Sequence, residues 1–106
     1  MPKMSKTGFA PNELAIPAGA AADAGAAEIL RAWIANQGLH VSLLPAFETP
    51  EPWGVLLVDL ARHAARAFAA EKTCTEAEAL RLIRAMFDAE WERPTDIGTT
   101  EPAKQQ

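Results

Sequence analysis

Apolar residues recur at helical spacing in three stretches of the chain and alternate with polar ones in a fourth. The first helical stretch starts near Asp23, a suitable N-cap. Ala26, Ala27, Ile29, Leu30, Trp33 and Ile34 then form one stripe on a 3.6-residue wheel, and Gly38 is placed to end the helix in a left-handed conformation. Leu39, Val41 and Leu43 alternate with His40 and Ser42, the pattern of a half-buried strand, which Pro45 stops. A lone strand leaves its backbone groups unpaired, so it needs a partner. Glu13-Leu14-Ala15-Ile16, or the same strand of a second chain, are the two candidates.

Thr49-Pro50-Glu51 predicts a helix start, with Thr49 as cap and Pro50 at the first helical position. The apolar arc of Trp53, Leu56, Leu57, Leu60, Ala61, Ala64, Ala67 and Phe68 is wide, so this helix should be central. Thr75 with Glu78 makes a capping box. It opens a last helix, bearing Leu80, Ile83, Met86, Phe87 and Trp91, that Pro94 ends. The expected fold is α+β and helix-dominated: three helices with a C-terminal αα-hairpin, plus one or two short strands. Residues 1–22 should be irregular, with a short strand possible at 13–16. Residues 23–93 should form a compact helical core domain, and 94–106 a disordered tail. Trp33, Leu57, Leu60, Phe68, Leu80, Ile83 and Phe87 should be the core.

Composition narrows the function classes. The chain has 106 residues, one domain's worth, and 23 of them are alanine, which favours helices and thin contacts between them. Net charge is −4, and the ten Lys and Arg are scattered. That speaks against nucleic acid as partner, because phosphate binding needs clustered basic residues. A regulator using Arg62, Arg66, Arg81 and Arg84 is the weakest option for that reason. No apolar run approaches a membrane span and no signal peptide is evident, so the expectation is a cytoplasmic protein without membrane contact. A single cysteine, Cys74, excludes an internal disulfide and a cysteine zinc cluster.

Candidate chemistry is sparse. Asp59 and His63, at i and i+4, share a side of the central helix with Arg62 and Arg66 nearby. The pair could orient a histidine as base, but one carboxylate among these cations more often makes a solvated strip. Glu90 falls within the apolar arc of the last helix. A buried carboxylate is costly unless paired, so it should meet His63, Arg31 or an indole N–H, or reach solvent at the helix end. His40, His63 and Glu90 match no metal-ligand spacing. No nucleophile set and no glycine-rich phosphate loop is present. The reading therefore assigns no catalytic residue, no metal and no cofactor.

Two blocks carry a family pattern: Trp53-Gly54, Leu57-Val58-Asp59 and Ala61-Arg62-His63 in the first, Phe87-Asp88-Ala89-Glu90-Trp91 with Pro94-Thr95-Asp96 in the second. The pattern resembles domain of unknown function 5076, over roughly Glu13 to Asp96. The resemblance implies a small stand-alone bacterial domain and brings no activity, cofactor or catalytic residue. Enzyme activity is left open, with the balance toward none. The reading is a non-enzymatic protein-binding or accessory module, acting on a protein partner or by self-association. The alternative is a small enzyme or ligand-binding protein whose functional strip is Asp59, Arg62, His63, Arg66 and Glu90.

Overall fold

The computed structural model describes residues 12–95 and 98–103. Their order is α1 (Ala18–Ala21), β1 (Leu30–Ala35), β2 (Gly38–Leu43), α2 (Glu51–Ala70), α3 (Glu76–Glu92) and β3 (Thr99–Pro102). The fold is α+β and helix-dominated, as the patterning predicts, but its first helix is not where the apolar stripe put it. The stretch expected to be helical from Asp23 instead enters an antiparallel β-hairpin, in which Leu30 pairs with Leu43 and Ala35 with Gly38. Asn36 and Gln37, at φ 51° and 64°, form the two-residue turn. Two successive left-handed residues match the right-handed twist of the flanking strands, and asparagine tolerates that conformation well. Asp23 caps no helix: its Oδ1 accepts from the backbone N–H of Gly25 at 2.8 Å. Gly38 opens β2 rather than closing a helix.

The predicted strand is therefore real, and its neighbours are others than those expected. β2 lies between β1 and β3, parallel to the latter, with His40 opposite Thr99 and Leu43 opposite Pro102. β3 comes from the polar tail expected to be disordered. Ala103 N–H continues its ladder by donating to the Leu43 carbonyl at 3.0 Å. Residues 13–16 are not a strand. Glu13 pairs with Arg31, which also holds Glu28 at 3.1 Å, while Leu14 and Ile16 stay exposed. Residues 1–11, the rest of the segment expected to be irregular, lie outside the described residues.

The αα-hairpin matches expectation closely. α2 begins at Glu51, with Pro50 in the cap position and no side-chain cap, one residue later than the expected start at Pro50 with Thr49 as cap. Its C-terminus closes on Lys72, at φ 62°: Lys72 N–H donates to Ala69 and Thr73 N–H to Phe68. This is the paired-bond helix stop normally built on glycine. Thr75 caps α3: its hydroxyl accepts from Glu78 N–H at 3.1 Å, and the Glu78 carboxylate accepts from Thr75 N–H at 3.0 Å.

That box should make α3 acid-sensitive. Hydrogen bonds from the Thr75 backbone N–H and then its hydroxyl hold the Glu78 carboxyl below the ordinary carboxylate range. A lowered folded-state value means the stabilisation is complete above that range and is lost as pH falls through the lowered value. Thr75→Ala should therefore cost about 1 kcal/mol at neutral pH, read by urea denaturation. Circular dichroism should show Glu78→Gln losing less helix than wild type on acidification. Equal acid loss in both would place the sensitivity elsewhere.

The expected core is not found. Among the described residues only Ala65 and Ala79 are buried, at 0% and 4% exposure. Leu57, Leu60, Phe68 and Phe87 are exposed, while Trp33, Leu80 and Ile83 are half-buried. The reason is topological. α2 and α3 meet through alanines, and among the described residues no strand comes within 8 Å (Cα to Cα) of either helix. A helix wheel identifies an apolar side but not whether anything lies against it.

Candidate functional site

Cross-strand partners share a face of the sheet. Leu30, Ala32 and Ile34 of β1 therefore lie with Leu43, Val41 and Leu39 of β2 on an apolar face, which β3 extends with Thr100 and Pro102. The opposite face carries Arg31, Trp33, His40 and Ser42. His40 Nε2 lies 3.1 Å from the Ala35 carbonyl oxygen. A carbonyl only accepts, so this nitrogen carries the proton and the ring is tied to the strand turn.

The polar strip of α2 sits away from the hairpin seam. At 100° per residue, His63 falls almost opposite the buried Ala65, and Asp59 also turns away from α3. Both are exposed, and among the described residues neither has an ionic or hydrogen-bonding partner. Arg66 leans toward Glu76, Nε to Oε2 3.9 Å, and Arg62 reaches the rim of a groove between the helices. Glu90, half-buried, meets none of the partners expected of it. Its carboxylate accepts from the backbone N–H of Thr95 at 3.1 Å and from the Thr95 hydroxyl. It thereby ties down the turn after α3, a role that a residue five positions downstream supplies. The structure thus keeps Asp59, Arg62, His63 and Arg66 on one helix, and among the described residues Glu90 makes no hydrogen bond or ion pair with Asp59 or His63. Among the described residues no three His, Cys, Asp or Glu side chains converge as a metal site would require.

The wheel found these apolar positions but assigned them to the interior. Where the helices splay, a groove of about 750 Å³ opens, lined by Trp53, Leu57, Val58, Leu80, Ile83 and Phe87 among others. Phe87 and Trp91, one turn apart, stack with centroids 5.6 Å apart and planes at 22°. Arg84, held to Asp88 at 3.1 Å, edges the groove with charge. Trp91 is 71% exposed and Met86 66%. Trp53 also fixes the hinge between sheet and helices: its Nε1 donates to the Pro45 carbonyl at 2.7 Å, and Phe47 meets its ring edge-on at 6.4 Å. No helix of the described residues is long and apolar enough to cross a membrane.

No curated protein matches the chain. A solved structure described as a "putative pyruvate dehydrogenase", from Rhodopseudomonas palustrus CGA009, is 47% identical with a TM-score of 0.68. The match covers 92% of this chain and 99% of that one. The family model for a domain of unknown function, DUF5076, matches residues 13–95, most of the chain. The chain belongs to the DUF5076 family.

Proposed function

We propose that this chain is a protein-binding module rather than a catalyst, and that it works through the open apolar side of its helical hairpin. The observation that carries this is the exposure of Leu82, Met86, Phe87 and Trp91 along α3, beside the groove that reaches Trp53. Soluble monomers rarely leave a continuous apolar patch of more than a few hundred Å² open unless it binds something. Aromatic anchors with a charged rim are the composition expected of a binding surface. The alternative, a small enzyme built on Asp59, His63 and Glu90, needs those groups to face one reacting centre. Their placement gives that reading no support: Asp59 and His63 turn outward, and Glu90 is occupied by Thr95. The activity named for the Rhodopseudomonas chain likewise finds no residue-level support here.

Affinity capture with the tagged chain, followed by mass spectrometry, tests this proposal. A defined protein, which could be an untagged copy of the chain, should be recovered by wild type and by His63→Ala. Trp91→Asp should reduce its recovery at least tenfold, as losing an aromatic anchor does. Loss with His63→Ala but not with Trp91→Asp would move the site to the polar strip and overturn the proposal.

A further inference from the structure

Two apolar surfaces in this chain fail to meet each other. One is the sheet face of Leu30, Ala32, Ile34, Leu39, Val41 and Leu43; Ile34 is 78% exposed and Leu39 43%. The other is the hairpin surface just described. A two-layer domain is stable when such surfaces cover one another. Here the linker holds them apart. Pro45 and Pro50 restrict it, Ala46 takes a left-handed φ of 70°, and the Trp53–Pro45 bond sets the angle at which α2 leaves the sheet.

The exposed area is the size of an interface. The chain presents 9355 Å² to solvent, whereas a compact monomer of 11.4 kDa presents about 5,800 Å². The sixteen residues outside 12–95 and 98–103 would add about 160 Å² each even if fully solvated. A surplus of about 1,000 Å² remains, and a stable dimer removes about 800 Å² from each partner. Two buried alanines among the described residues also cannot hold a fold that its partner leaves from time to time. The cover must be permanent, and the one molecule always present with this chain is another copy of it.

We infer that the chain is an obligate homodimer in which the hairpin of each copy covers the apolar sheet face of the other. A two-fold axis satisfies both surfaces at once, because each copy offers one of each. The inference rests on the binding-module reading and names its partner.

Two measurements on the full, unmodified chain test it. Light scattering during size-exclusion chromatography should give twice 11.4 kDa across a wide dilution series. Isotope-filtered NMR on a mixture of labelled and unlabelled copies should then show contacts between copies. They should run from the Ile34 and Leu39 methyls of one copy to Leu82, Met86 or Trp91 of the other. A folded monomer, or a larger polydisperse assembly, overturns the inference. So does a dimer whose contacts between copies join only hairpin to hairpin, or only the β1 edges. A folded monomer that still captures a different protein through Trp91 would sink the dimer and leave the module reading standing. A folded monomer that captures nothing would sink both.

Discussion

Ala65→Leu should destabilise the chain by about 1–3 kcal/mol, and should do so by forcing the helical hairpin apart. Ala65 is fully buried, and the seam it occupies with Ala79 is where α2 and α3 touch. Leucine and alanine differ little in helix propensity, so the cost would come from volume alone. Three extra carbons have no space where backbones approach this closely. The helices must separate, or the side chain must leave its rotamer. At constant protein concentration the melting temperature should fall by about 4–8 °C per kcal/mol. Ala67→Leu, on an exposed position of the same helix, is the control and should be nearly neutral. If both variants melt with wild type, the alanine seam does not hold the hairpin.

That seam also explains what the sequence could and could not reveal. The bounds of α3 are legible because the signals that set them are local. Thr75 and Glu78 satisfy one another's backbone groups within a single turn, and Pro94 cannot continue a helix, so the bounds of α3 follow from chemistry four residues wide. The alternation from Leu39 to Leu43 is a strand for the same reason. β1 was lost because alanine-rich residues ahead of it imitate a helical stripe, and because its turn is Asn-Gln rather than the usual Asn-Gly. β1 itself offers no alternation, since Arg31 is the one polar residue in Leu30–Ala35. β3 had no local clue either. Thr99–Pro102 is polar, and its pairing comes from β2, more than fifty residues earlier.

The candidate site divides along the same line. The exposure of Asp59, Arg62, His63 and Arg66 followed from their place opposite the apolar arc. Glu90 stood out as a carboxylate among apolar neighbours, yet its partner Thr95 lies beyond the helix, where a wheel carries no information. The apolar surface was visible residue by residue. What it faces is a property of the assembly, so the sequence placed Leu57, Leu60 and Phe87 in an interior that a single chain does not have. If the cover comes from a second copy, those residues were assigned to the right environment and the wrong molecule.

Gly98→Ala should release β3 from the sheet. Gly98 has φ +72°, and a Cβ added there would lie 2.6 Å from the Leu39 carbonyl oxygen. Two costs act together. A left-handed alanine costs about 1–2 kcal/mol before any contact is counted. The clash is with backbone in the middle strand, so no side-chain rotation relieves it. Moving Leu39 would disturb its pairing with Ile34, and β1 and β2 share the longest ladder in the sheet. The cheaper response is for β3 to move, since it is four residues long and pairs along one edge only. Amide hydrogen exchange resolves the outcome. The Ala103 amide, bonded to the Leu43 carbonyl, and the β3 amides should lose protection by at least tenfold, the equivalent of about 1.4 kcal/mol. Amides joining Trp33 with His40 and Arg31 with Ser42 should keep theirs. Uniform loss across all three strands would mean that the sheet opens as one unit, and that β3 completes it rather than being added at its edge.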